Sequence, residues 1–109
     1  MPTTYKVLGQ SNPSATTATT LYTVPAATSA VVSTLVIANL AASSATFRVA
    51  VRVAGAALAN SQYVAYDVSV GANDSTALTL GITLAATDVI TVYASTANLT
   101  FTAFGSEIS

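Results

Sequence analysis

The chain has 109 residues, 52% of them hydrophobic but only 7% aromatic and 6% charged, with three basic and four acidic side chains and a net charge of −1. That length supports one core of ordinary domain size. An average soluble domain carries about 25% charged residues, so here Ser and Thr must cover the outside, and association is the default for any surface that is also apolar.

The three cations, Lys6, Arg48 and Arg52, are too few for the basic face that phosphate binding requires, so nucleic acid is not an expected partner. The chain has no cysteine and no histidine, which removes disulfides, thiolate nucleophiles, the commonest general base and the commonest metal ligand. Residues 1–10 are polar and then β-like, without the basic and apolar regions of a cleaved signal peptide, and none is expected.

Short runs rich in β-branched residues and Tyr, separated by Gly, Asn, Asp, Ser and Pro, predict eight strands. They cover residues 5–8, 19–24, 30–39, 46–53, 62–70, 76–84, 89–95 and 99–104. This spacing is that of an all-β, single-domain antiparallel β-sandwich or jelly roll over residues 1–109. Between the first two strands, residues 10–20 (QSNPSATTATT) are small and contain Pro13, and they read as a loop or an arm that lies on a neighbouring subunit.

Residues 7–47 carry no charge, and within them residues 26–42 are the most apolar window. It is shorter than the roughly 20 residues of a membrane span and has no flanking Lys or Arg, so it reads as a buried strand, and no membrane partner is expected. The run VVSTLVI around Leu35 and Ile37 is apolar on both faces, and the run around Val89 and Tyr93 nearly so. Such strands need cover on both sides, from loops of the same chain or from another copy. Leu35, Ile37, Val89 and Tyr93 are therefore the candidate interface of a homo-oligomer.

The strand FRVAVRV alternates, with Phe47, Val49, Val51 and Val53 on one face and Arg48 and Arg52 on the other. A hairpin in which paired positions sum to about 115 sets Arg48 against Asp67, Val49 against Tyr66 and Arg52 against Tyr63. That register gives an outer polar patch of Arg48, Arg52, Tyr63 and Asp67, with an ion pair and a cation–π contact. Further on, Gly81 interrupts the strand over 76–84, where a bulge or bend is expected.

The four carboxylates are Asp67, Asp74, Asp88 and Glu107. Asp74 and Asp88 sit in turns, where carboxylates commonly accept local backbone N–H bonds. No acidic run resembles a calcium loop and no glycine cluster resembles a phosphate cradle, so neither a metal nor a cofactor is expected. No catalytic residues are assigned, and the chain reads as a protein other than an enzyme. Tyr63 and Tyr93 fall on outward parity, which keeps a glycan-binding attachment module in view.

The segments LYTVPAATSAVVSTLVIANLA, FRVAVRVAGAAL, LTLGITLAATDVITVYAS and FGSEI, spanning nearly the whole chain, resemble small virion structural proteins of tailed bacteriophages, of the capsid decoration or cement type. The resemblance implies a compact β fold on the surface of a phage particle, made in the host cytoplasm. Its partners would be copies of itself, as a trimer, and the phage major capsid protein or other virion proteins. A tail, neck, baseplate or fibre-associated component is the other placement that it implies.

Overall fold

The computed structural model describes residues 2–109. Nine strands lie in two packed antiparallel sheets: β1 (Thr3–Ser11), β2 (Thr19–Thr23), β3 (Ser29–Asn39), β4 (Ala45–Arg52), β5 (Tyr63–Val70), β6 (Ser75–Leu78), β7 (Ile82–Leu84), β8 (Val89–Ala94) and β9 (Leu99–Ile108). One sheet runs β1-β9-β3, and both β6 and β7 pair with the far side of β3; the other runs β2-β8-β4-β5. The architecture is the all-β sandwich that the spacing of short strands predicts.

The boundaries differ from the sequence reading in three places, each for a local reason. The stretch read as one strand over 76–84 is two, because Gly81 takes a φ of 61°, a left-handed conformation that glycine adopts without steric cost. β6 therefore lies along Leu35 to Ala38, and β7 along Ala30 to Val32. β1 and β9 are longer than expected because each runs the length of the other, from Thr3 opposite Ile108 to Ser11 opposite Phe101.

The third difference concerns residues 10–20, which form no free arm. Gln10 and Ser11 belong to β1. The Asn12 amide donates to the carbonyls of Ala97 at 3.0 Å and Leu99 at 2.7 Å, and the Thr16 N–H donates to the Ala94 carbonyl at 2.8 Å. The loop is thus fastened to the β8–β9 turn of its own domain.

The core lies between the sheets and is built mainly of Val, Leu, Ile and Ala around two rings, Phe47 and Phe101, which meet edge to face at 6.1 Å. Each fully buried Val, Leu, Ile or Phe stabilises the fold by about 1.5–3 kcal/mol. β3 explains its own sequence: the ladder to β9 shifts between Val32 and Thr34, so the buried positions change from Ala30 and Val32 to Leu35 and Ile37. An irregularity of this kind inverts side-chain parity along a strand. Part of the apolar appearance of both faces is this inversion.

Asn39, Asp88 and Thr91 are the buried polar residues among those described, and Asn39 shares the inward parity of Leu35 and Ile37. Asn39 is buried at the end of β3; its amide nitrogen donates to the carbonyl of Ser43 at 2.8 Å and contacts those of Val70 and Gly71 at 3.3 and 3.2 Å, while its Oδ1 accepts the Ala41 N–H. It ties the β3–β4 turn to the β5–β6 turn.

At the β3 irregularity, β9 supplies Gly105, and a Cβ there would run into the carbonyl of Val31. Gly71, by contrast, has room for one, its nearest neighbour being 3.7 Å away on Asp74. Gly105→Ala is therefore expected to lower unfolding free energy by about 1–3 kcal/mol, with Gly71→Ala close to neutral, both measured by chemical denaturation. Equal effects at the two positions would contradict the close approach of β9 to β3.

Candidate functional site

The outer face of the β2-β8-β4-β5 sheet carries the polar patch. β4 and β5 pair in the expected register from Ala45 opposite Val70 to Phe47 opposite Val68, after which the ladder shifts twice: Val49 faces Ala65, and Ala50 faces Tyr63. Two residues, Tyr66 and Asp67, therefore stand opposite the single residue Arg48. Asp67 adopts a φ of 52°, a conformation that Asp tolerates better than most residues.

This bulge gives Arg48 two kinds of partner at once. Its Nε donates to Asp67 Oδ1 at 2.7 Å and its Nη2 approaches Oδ2 at 3.3 Å. Its guanidinium carbon lies 4.1 Å from the centroid of the Tyr66 ring and 4.4 Å from that of Tyr93, so the cation is held between two aromatic rings. Hydrogen bonding from Arg48 holds the Asp67 carboxyl below its ordinary range, and the same bond raises the guanidinium further above its own. The pair is open to solvent and screened accordingly.

The Arg48–Asp67 pairing is the expected one, but the cation–π partner is not. Arg52 points away from Tyr63: its Nε donates to the Ala56 carbonyl at 2.7 Å and its Nη2 to that of Gly55 at 3.0 Å, and it reaches Thr91 Oγ1 at 3.4 Å. Tyr63 packs instead against Tyr66, centroids 4.9 Å apart and planes at 82°. The two rings and Asn60 line an open depression of about 360 Å³.

The candidate interface residues separate. Leu35 and Ile37 are 1% and 0% exposed and belong to the core between the sheets, so they offer nothing to a partner. Val89, 8% exposed, lies on the outer side of β8, where Arg52 and the β4–β5 connection cover it. That connection turns back through two single 3-10 turns, Val53–Gly55 and Asn60–Gln62. The apolar outer positions of β8 are thus covered by the chain's own loop, the first of the two kinds of cover that the sequence allowed. Tyr93 is half-buried against Arg48.

A different surface is left uncovered. On the outside of the β1-β9-β3 sheet, Tyr5 is 83% exposed, and Val7 and Phe104 are exposed beside it. Together with Lys6, Val31, Ser33, Gly105 and Ser106, Tyr5 and Phe104 line a depression of about 540 Å³ there. Following the register from β1 through β9 and β3 to β6 and β7, no charged strand residue falls on this outward side. Neither Tyr5, Val7 nor Phe104 was marked by the sequence reading; the alternation of Tyr5 and Val7 around Lys6 was the available signal.

Lys6 and Glu107 lie on the inward parity at the same end of the sheet. The Lys6 ammonium is 2.9 Å from Glu107 Oε1, and the Tyr22 hydroxyl, reaching across from β2, donates to Oε2. The bond from Tyr22 is the main reason that the Glu107 carboxyl is lowered, with Lys6 adding to it. Burial and the same bond raise the Tyr22 phenol.

The remaining carboxylates bond to backbone. Asp74 Oδ1 accepts from Ser75 N–H at 2.8 Å, and Asp88 accepts from Ala54 N–H at 2.8 Å and Ala85 N–H at 2.9 Å. Among the described residues, no group of three acidic side chains converges as a metal site. No protein-family model, curated protein or solved structure matches the chain.

The Tyr22–Glu107 bond has a pH signature. A depressed carboxyl stabilises the fold above its ordinary value and loses that contribution as pH falls through the folded-state value; the ordinary values are 4.5 for Glu107 and 3.8 for Asp67. A raised phenol stabilises below its ordinary value of 10.0 and loses that contribution as pH rises beyond it. Unfolding free energy should thus be flat from about pH 5 to pH 9 and fall on both sides. Glu107→Gln should shrink the acid limb, leaving the part due to Asp67, and Tyr22→Phe should shrink the alkaline one. An alkaline limb unchanged in Tyr22→Phe would mean that the bond does not form in solution.

Proposed function

We propose that the chain is a structural protein of a bacteriophage particle, a capsid decoration or cement protein that binds the assembled shell and stabilises it. The observation that carries this reading is the uncharged outward face of the β1-β9-β3 sheet, with Tyr5, Val7 and Phe104 exposed on it. Exposed apolar area without charge is costly to leave in water and marks an interaction surface. The phage resemblance supplies the kind of partner. On a shell, repetition multiplies modest contacts through effective concentration, so no single strong anchor is needed.

No catalytic role is part of the proposal. Without histidine or cysteine the chain lacks the usual base and nucleophile, and its four carboxylates are engaged with Arg48, Lys6, Tyr22 or backbone N–H groups.

Quantitative mass spectrometry of purified particles tests the placement. A copy number that scales with the major capsid protein is expected; a number fitting one ring or tip would move the protein to the tail, neck, baseplate or fibre. Val7→Lys with Phe104→Glu, which sets opposite charges on facing positions, should leave folding intact and abolish retention on shells lacking the native protein. Undiminished retention of that variant would rule out this face.

A second reading is favoured by the right-angled corner of Tyr63 and Tyr66 beside Asn60. Two ring walls and a neighbouring amide suit the apolar and hydroxyl faces of a sugar, and Arg48 holds Tyr66 in place. As a glycan-binding attachment module, the protein would bind members of a glycan array through this corner and lose them in Tyr66→Ala. An array without binding by the parent protein sinks this role.

A further inference from the structure

We infer that the free edge of β1, over residues Thr3 to Val7, is a pairing edge for a second copy of this chain, joined antiparallel about a twofold axis centred on Tyr5. The inference deepens the assembly reading by naming one partner of that sheet.

The backbone says which groups are free. The Ser109 N–H donates to the Pro2 carbonyl at 3.2 Å, so the pair Pro2–Ser109 is one that shares a hydrogen bond. In an antiparallel ladder such pairs alternate with pairs that share none. Continuing along the register, Thr4 opposite Glu107 and Lys6 opposite Gly105 exchange bonds with β9. Thr3, Tyr5 and Val7 therefore turn their N–H and C=O groups outward, where β1 has no neighbour. All five residues from Thr3 to Val7 are exposed.

The other sheet edges are blunted in the ways that natural edges usually are. β5 is broken by two register shifts and the left-handed Asp67. β6 and β7 are short and interrupted at Gly81. β2 has five residues and a shift between Thr20 and Tyr22. Over Thr3 to Val7 the β1 ladder is regular, its first shift coming after Val7. Lys6 is the one such device over Thr3 to Val7, and its charge is met within the chain by Glu107.

Charge and reach select the register. Centring on Lys6 would set two ammonium groups opposite one another, a destabilising arrangement. Centring on Tyr5 sets Lys6 against Thr4 and Val7 against Thr3 of the second copy, and it uses the outward groups of Thr3, Tyr5 and Val7 together. The two Tyr5 rings then lie side by side, flanked by Val7 and Phe104 from each copy, in one continuous apolar face. This contact is isologous and closes at two copies, which differs from the trimer that the phage resemblance implies.

Sedimentation velocity on the purified chain tests the inference, and a dimer is expected. Tyr5→Pro removes an outward N–H, a change that edge strands tolerate; it should sediment as a monomer and keep the unfolding midpoint that the parent shows when diluted to monomer. The chain has no cysteine, so Tyr5→Cys offers a separate readout. Paired residues of this kind are about 5.5 Å apart at Cα, within disulfide reach, so mild oxidation should cross-link Tyr5→Cys into a dimer and leave Thr83→Cys, on the β7 edge, monomeric. A parent chain that is monomeric up to its solubility limit, a dimer that survives Tyr5→Pro, or equal cross-linking of the two cysteine variants overturns the inference. Each readout uses the isolated chain, so the dimer can fail while shell binding stands, and shell binding can fail while the dimer stands.

Discussion

Strand parity, and the places where it is reset, controls nearly everything else in this molecule. With few large side chains and few charges, the two sheets are held by backbone ladders and by small apolar contacts that require each side chain to face the correct way. The ladders shift after Val7, Thr20, Val32, Phe47 and Val49. Each shift decides which residues meet the core downstream of it. The shift after Val32 places Leu35 and Ile37 inside, and the one after Phe47 brings Tyr66 and Asp67 together on Arg48. Gly105 is required because the first of these brings two backbones closer than a Cβ allows.

The scarcity of charge takes on a different meaning in this setting. All seven ionic side chains have an intramolecular role: Lys6 with Glu107, Arg48 with Asp67, Arg52 on the carbonyls of Gly55 and Ala56, and Asp74 and Asp88 on backbone N–H groups. No charged strand residue has outward parity on the β1-β9-β3 sheet, and Lys6, paired with Glu107, lines the depression there. On the outer side of the β2-β8-β4-β5 sheet, the arginines and the β4–β5 connection cover Val89 and Thr91 of β8. The molecule therefore has two unlike sides, one that carries the arginines and leaves Val53, Leu58, Val64 and Tyr66 exposed, and one whose outward strand positions are uncharged.

Much of the fold was legible because strand spacing and turn residues are local signals. The number of strands was short by one, since a single Gly81 does not announce whether it bends a strand or divides it. The Arg48–Asp67 pair was legible because a hairpin register extrapolates from turn to strand. Tyr66, Tyr93 and the true environment of Arg52 were not, because a bulge is a backbone event. Asp67 at positive φ leaves no periodicity to read, and every pairing beyond it moves by one or two residues. The buried placement of Leu35 and Ile37 failed to show for the same reason: the parity inversion after Val32 imitates a strand that is apolar on both faces. The sequence reading looked for an apolar face around Leu35, Ile37, Val89 and Tyr93, and only the register shows that Tyr5, Val7 and Phe104 share an outward side.

An open apolar face on a chain of this size also bears on stability. A domain of this length hides a smaller fraction of its surface than a large one does, and the core here contains only two phenylalanines among many small aliphatic residues. Any contact made by the folded chain alone adds to its stability by mass action and makes that stability depend on concentration. Covering Tyr5, Val7 and Phe104 would thus strengthen the end of the sheet where β1, an edge strand, pairs with β9 alone. There the Tyr22 hydroxyl ties β2 to Glu107 of β9, and Lys6 ties β1 to the same carboxylate. Assembly and folding draw on the same strands, so a substitution in β1 or β9 can be assigned to one of them only when oligomeric state and unfolding are measured together.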